Sequence, residues 1–407
     1  MNCPGHQAQG IRGCPVCGGG RHELLYTQRF RTIEGGSLLD GYDVVQCMAC
    51  GMAYAEGVPE PAAFEAYYRD LSKYEAQYYA SELNQYDLRR FPINAALVAP
   101  HLPALDAPIV DVGCAVGGQL WAFQQLGYSR LLGLDPSPLC ARVAQERFGL
   151  RVLTGALLDL DPQEGPFDLI ILGSVLEHLR DPRPALERLA GLLTPEGFLY
   201  LEVPDVLQFT EVLDAPFQEF SMEHINYFSP RTLSNLMAQI DLSPVFCRQT
   251  RIQQTPSKQV AEVKALYQRG STPRFEPDLE SARALHRYIQ ASGDMESRLN
   301  AILEGLAASH RPILVWGVGT HTQHLLANSR LADVNITAFV DANPRYQGLH
   351  MQGTPILLPE SLAGRAEAIL ISSQQFQDEI AVRIRQELRL PNELILLYPP
   401  VQTKELS

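Results

Sequence analysis

Between Pro108 and about residue 240, short apolar runs alternate with stretches of helical period: "PIVDVG", "RLLGLD", "RVLTG", "FDLIILGS" and "GFLYLEV". Strands separated by helices are joined by crossovers, so this order predicts a parallel, doubly wound α/β sheet that binds ligands at the carboxyl ends of its strands. A second alternating unit begins at "PILVWGVGTHTQHLL" and continues through "ITAFVDANP", "AILISS" and "ELILLYPP". At 407 residues the chain exceeds what one core serves, so the two units read as separate domains. The stretch between them, from about 250 to 310, is dotted with proline and serine and reads as mostly helical.

The glycine turns locate the ligand sites. In "IVDVGCAVGGQL", Asp111, Gly113 and Gly117 stand where the chain leaves the first strand, and glycine there lets backbone approach a ligand closely. The third glycine of GxGxxG is missing, which speaks against a dinucleotide. Asp135 ends the second strand and is placed to accept ribose hydroxyls. Gly155 and Asp159, in "LTGALLDLD", follow the third, with Asp159 expected to meet an adenine amino group.

Ahead of this unit lie Cys14-Pro-Val-Cys17 and Cys47-Met-Ala-Cys50, each pair followed by glycine. Two such knuckles bring four thiolates to one tetrahedral ion and leave no open position, so a structural zinc ribbon is expected. Cys3 and His6 are assigned to a frayed terminus. The tyrosine-rich stretch "AFEAYYRDLSKYEAQYYASELNQYDLRRF" has helical character, and Tyr67 and Tyr74 read as core anchors.

A net charge of −13 argues against a nucleic-acid partner, since phosphate backbones are bound by displacing counterions with lysine and arginine. Neither a signal-peptide start nor a membrane-length apolar run is evident, and a cytoplasmic protein is expected.

The motifs in order, with "FDLIILGSVLEHLRDP" after the fourth strand, resemble the class I S-adenosylmethionine (SAM)-dependent methyltransferases over roughly residues 105–235. With the ribbon in front, "YYAS", "EHINYFS" and the α/β domain behind, the whole chain resembles the three-domain sugar C-methyltransferases, which act on nucleotide-linked deoxysugars. The resemblance implies SAM as cofactor and a small-molecule acceptor. It also implies a class I methyltransferase Rossmann-like parallel sheet between an N-terminal zinc ribbon and a C-terminal Rossmann-like α/β domain. The corresponding division is 1–65, 66–245, a helical connector 246–310, and 311–407. Glu223 and His224 occupy the family's Glu-His motif beside the sugar, His178 matches a second histidine, and Tyr78 and Tyr79 match its tyrosines. The acceptor nucleotide would rest on the C-terminal domain near Gly317, Gly319 and Asp341, although Thr320, His321 and Thr322 replace the turn typical of that family.

C-methylation requires a base that removes a proton beside a ketone, and histidine serves at neutral pH. A carboxylate such as Glu223 would hold its tautomer, and a hydroxyl such as that of Tyr79 would donate to the enolate oxygen. Adjacent Glu223 and His224 can share one substrate only from an irregular loop or a helix end. Were residues 219–223 helical, Glu219 would share a face with Glu223 and raise one pKa. Two alternatives remain open: O- or N-methylation of another metabolite, and a non-catalytic zinc-ribbon scaffold.

Overall fold

All five apolar runs of the first unit are strands, and two strands that the sequence does not announce join them. A computed structural model describes residues 12–35, 38–71, 83–255, 258–270 and 274–399. The central sheet holds β4 (Ile109–Val112), β5 (Leu131–Asp135), β6 (Arg151–Thr154), β7 (Phe167–Gly173), β8 (Leu193–Pro204), β10 (Leu242–Gln253) and β11 (Gln259–Arg269). Its order is β10-β11-β8-β7-β4-β5-β6. The first five strands are parallel, whereas β11 pairs antiparallel with both β8 and β10. The purely parallel sheet is thus corrected to a mixed one. The segment expected to be helical up to residue 310 instead begins with this hairpin, and the boundary at 245 falls inside β10. β11 misleads because it is buried on both faces from Ala261 to Tyr267 yet carries Glu262 and Lys264, so no alternation of apolar and polar residues marks it.

The crossover helices are α3 (Gly118–Gln125), α4 (Pro138–Phe148) and α5 (Pro182–Ala190), with α2 (Gln85–Val98) preceding the sheet and α6 (Pro230–Ala238) following β8. Their ends are written locally. Ser137 Oγ accepts from the Cys140 N–H at the start of α4, Pro138 opens the helix, and Gly149 closes it in the left-handed region. Ser229 and Thr232 form a capping box at α6, again with proline in the first turn.

The second alternating unit forms a sheet in the order β14-β15-β13-β12-β16-β17. Its strands are β12 (Ile313–Trp316), β13 (Ile336–Val340), β14 (His350–Met351), β15 (Thr354–Leu357), β16 (Ala368–Ile371) and β17 (Leu394–Leu396), and its helices α8 (Thr320–Asn328) and α9 (Gln377–Val382). The long helix α7 (Ser281–Ser309) leads into it and buries Leu299, Leu303 and Leu306 against Ile313 and Val315.

The N-terminal strands β1 (His22–Arg29), β2 (Gly41–Cys47) and β3 (Ala53–Glu56) make a third, antiparallel sheet, and α1 (Pro61–Leu71) leaves it toward the cavity described below. The boundary drawn at residue 65 falls inside α1. This sheet is closed by β9 (Asn226–Tyr227), which pairs with β3 through Ala53–Tyr227 and Tyr54–Asn226. The cysteine module is therefore knitted into the middle of the chain. Cys14, Val16, Cys47 and Met52 share one apolar cluster with Val110, Leu172 and Val203. Among the described residues, no helix is long and apolar enough to cross a membrane.

Gly51 shows how tightly the module is held. It follows the second knuckle at φ +80°, and a Cβ there would lie 1.9 Å from the Asp278 carbonyl oxygen. The Asp278 N–H in turn donates to Cys50 O at 2.9 Å. Gly51→Ala combines left-handed strain with a backbone clash, and is expected to cost about 3 kcal/mol or more. Chemical denaturation would show this as a lowered midpoint at unchanged slope.

Candidate functional site

The turn after β4 is shaped by what surrounds it. Gly113 has φ +78°, and a Cβ on it would meet Val175 Cγ2 at 2.6 Å. Its N–H donates to Leu134 O at 2.7 Å, so the turn is strapped to the end of β5. Asp135 completes the strap, with Oδ2 accepting from the Ala115 N–H at 2.8 Å and Oδ1 from the Ser137 N–H at 2.9 Å. Gly117 caps α3 at φ +79°, where a Cβ would meet Leu150 Cδ1 at 2.8 Å. Gly155 donates its N–H to Asp135 O at 3.0 Å and lines the cavity. Asp159 does not. It is exposed, and its Oδ2 accepts the Ala156 N–H at 2.8 Å within its own short turn.

This turn forms one end of a cavity of about 800 Å³ that runs past Ser174, His178 and His224 to Thr320 and Phe376. Its floor is ionic. Arg90 of α2 lies 3.1 Å from Glu202 of β8, and Lys264 of β11 lies 3.2 Å from Glu202 and 3.3 Å from Glu262. Asn94 donates to Glu202 at 2.5 Å and accepts from Lys264 at 2.6 Å, while Tyr86 donates to Glu262 at 2.6 Å. Burial alone would raise Glu202, but Arg90 and Lys264 outweigh it and hold the group below its ordinary value. Asp111 lies nearby, where the Arg90 charge also helps but does not prevail. Burial, then the Asp135 charge, pushes it up to about 8.

The opposite wall is two loops sewn together. Residues 176–178 form a single 3₁₀ turn after β7, and residues 221–225 form an irregular loop before β9. The Ile225 N–H donates to Glu177 O at 2.8 Å, and Asn226 Nδ2 donates to Leu176 O at 2.8 Å and Leu179 O at 2.7 Å. His178 Nδ1 lies 2.9 Å from Glu223 O. Since a carbonyl only accepts, Nδ1 carries the hydrogen and Nε2 offers a lone pair. The His178 and His224 rings meet edge to face with centroids 5.0 Å apart. His224 lines the cavity, and its N–H donates to Ser221 Oγ at 3.1 Å.

Several expected residues take other places. The Glu223 carboxylate accepts from Tyr67 OH at 3.2 Å, so Tyr67 is no mere core anchor. Glu219 shares no helical face with Glu223, because residues 216–219 form a turn, and it is burial that raises its pKa. Tyr74, Tyr78 and Tyr79 lie outside the described residues, as do Cys3 and His6. In the C-terminal domain, Gly317 has φ +104°, and Asp341 accepts from the Val318 N–H at 3.1 Å and the Asn343 N–H at 2.9 Å. Gly319 caps α8. Of the residues after that turn, Thr320 reaches the cavity, while His321 is buried 2.8 Å from Tyr398 OH. Among the lining residues that went unread in the sequence are Glu177, Tyr68, Arg90 and Lys258. Only Glu177 carried a signal, as the neighbour of His178.

The four knuckle cysteines stand apart from this cavity. Their sulfurs lie within 4.8 Å of one another, with Cys14–Cys50 and Cys17–Cys47 each at 3.5 Å. A tetrahedral ion with sulfurs at about 2.3 Å needs such spacings, so the donor set fits a metal. The Gly19 N–H lies 3.4 Å from Cys17 Sγ.

Residues 83–245 match the family model described as "Methyltransferase domain", and residues 309–396 match one described as "C2185-like, N-terminal". A C-methyltransferase, NovU, of Streptomyces niveus is 22% identical over 90% of this chain and 88% of its own length. A tRNA U34 carboxymethyltransferase of Syntrophotalea carbinolica is 38% identical, but over 28% of this chain and 37% of its own. Among solved structures, the Burkholderia thailandensis 1,6-didemethyltoxoflavin-N1-methyltransferase matches at 19% identity with a TM-score of 0.40, covering 55% of this chain and 97% of that one. The domain match coincides with the glycine turn, the acidic strand ends and the histidine wall. The chain carries a class I SAM-dependent methyltransferase domain and is a SAM-dependent methyltransferase.

Proposed function

We propose that the protein methylates the carbon beside the ketone of a nucleotide-linked deoxysugar, with His224 as the base. The observation that carries this reading is that His224 lines the same cavity as the β4 turn and Thr320 of the C-terminal domain. Likeness to a C-methyltransferase along 90% of the chain supports it. A cavity of about 800 Å³ is of the size that holds a donor and an acceptor together.

SAM, when bound, supplies an electrophilic methyl group on a sulfonium sulfur. Asp135 would take its ribose, Gly113 and Gly117 would admit its methionine part, and Asp111 would face the ammonium. With Asp159 held in its own turn, the adenine would rest on the backbone at Gly155 and Ala156 rather than on that carboxylate. On the acceptor side, His224 would take the proton from carbon. His178, its tautomer set by Glu223 O, would hold the imidazole edge to face. Glu223 would act through its backbone and through Tyr67. Thr320, at the turn shaped by Gly317, Gly319 and Asp341, would meet the nucleotide.

His224→Asn should lower the rate by two to four powers of ten, roughly, while SAM affinity by calorimetry stays unchanged. The keto substrate, kept in heavy water without SAM, should take deuterium beside the ketone with the native protein and not with this variant. A methoxy product by NMR, or no exchange across a panel of nucleotide-linked keto-deoxysugars, would count against carbon as the acceptor.

We propose further that Cys14, Cys17, Cys47 and Cys50 hold a structural Zn²⁺. Closed four-sulfur coordination would cross-link the two knuckles and support β3, against which β9 pairs. Cys17→Ser should lose zinc and destabilise the fold by several kcal/mol, on the order expected for opening such a site. Full zinc content with an unchanged melting temperature would refute this reading.

A further inference from the structure

Beside the two histidines stands a carboxyl group to which the proposed reaction gives no part. Glu177 lies on the cavity wall with its side chain 1% exposed. Its Oε2 has no hydrogen-bond partner among the described residues. Its Oε1 is 3.9 Å from His178 Nε2, too far for a hydrogen bond. Arg90, the cation that faces it from α2, is committed to Glu202 at 3.1 Å. The other charged groups facing Glu177 are Glu202 of β8 and Glu262 of β11, and both repel its anion. A carboxylate in such a place is costly to bury, and its own backbone N–H and the Arg90 charge offset only part of that cost. Burial therefore keeps Glu177 protonated, with a pKa pushed up to about 8. One carboxyl oxygen of Glu177, one ring nitrogen of His178 and one of His224 lie within 4.8 Å of one another. That spacing leaves room for a carbonyl oxygen and its neighbouring carbon between an acid and a base.

We propose that Glu177 is a catalytic acid of this site, donating a hydrogen bond from its neutral carboxyl group to the acceptor's ketone oxygen while His224 removes the adjacent proton. The proposal rests on the keto-sugar reading. The C–H bond breaks and its proton passes to the His224 nitrogen. The electron pair forms the C=C bond, and the carbonyl π pair moves to the oxygen held by the Glu177 O–H. The enolate carbon then bonds to the methyl group as the S–C bond breaks, leaving a neutral thioether. A neutral carboxylic acid in an apolar site suits this task, because the anion could not donate and a solvated acid would be ionised.

The test compares the native protein with Glu177→Gln and Glu177→Leu. At pH 7, the infrared difference between native protein and Glu177→Gln should contain the carbonyl stretch of a protonated carboxylic acid. Its absence would overturn the proposal whatever the substrate. With uridine- and thymidine-diphosphate-linked keto-deoxysugars as probes, deuterium exchange without SAM should fall about 100-fold or more in Glu177→Leu. Glu177→Gln keeps an N–H donor and should lose less. The native rate should drop as pH rises through about 8, where the acid ionises, and Glu177→Gln should lack that alkaline limb. Native-like exchange and pH profile in both variants would overturn the role. No exchange by the native protein on any probe, with the infrared band present, would instead refute the keto-sugar reading, and the role with it. Bound divalent metal beyond any held by the four cysteines, lost in Glu177→Gln, would also overturn it, because Glu177 would then be a ligand.

Discussion

The site depends on Asn226, one buried amide that joins three parts of the chain. Its Nδ2 donates to Leu176 O and Leu179 O, fixing the turn that carries His178. Its Oδ1 accepts from Arg12 at 2.7 Å, and the same guanidinium donates to Ile225 O and Arg180 O at 2.9 and 3.0 Å. Its backbone lies in β9, paired with β3 beside the second cysteine knuckle. Each such hydrogen bond contributes only about 1 kcal/mol net, but removing the amide would take a partner at once from Leu176 O, Leu179 O and the buried Arg12 guanidinium, which costs more. The distance between the two histidines is therefore set by the N-terminal module as much as by the methyltransferase sheet.

The same economy explains the hairpin β10–β11. Its Lys264 and Glu262, with Glu202 on β8 and Arg90 on α2, form a buried ion network under the cavity. Such a network gives little stability over an apolar core, since desolvation consumes most of the Coulomb gain. What it does is orient α2, and with it the cover of the β4 turn. It also leaves Asp111 and, on the facing wall, Glu177 without a paired cation, and burial raises both to about 8.

The strands β4 to β8 were legible because each is a short apolar run ended by glycine or aspartate. The cysteine knuckles were legible because four sulfurs at paired spacing have few other uses. The hairpin was not, because its buried charges imitate a solvated face. Nor was the part played by Tyr67 and Glu177, since a hydroxyl or a carboxyl takes its chemistry from neighbours that are distant in sequence. Asp159 shows the converse: its place after a strand suggests a ligand contact, while one of its oxygens accepts an N–H within its own turn.

By itself the sequence determined the order of the three modules, the glycine turn at Gly113, the acidic end at Asp135 and the two cysteine pairs, because each rests on residues close together in the chain. Tertiary structure alone decided which groups face one another across the cavity. His178 and His224 are 46 residues apart, and Arg12, which holds the wall between them, is farther still. Only the packing of β9 on β3, and of Asn226 between two loops, brings their rings to 5.0 Å.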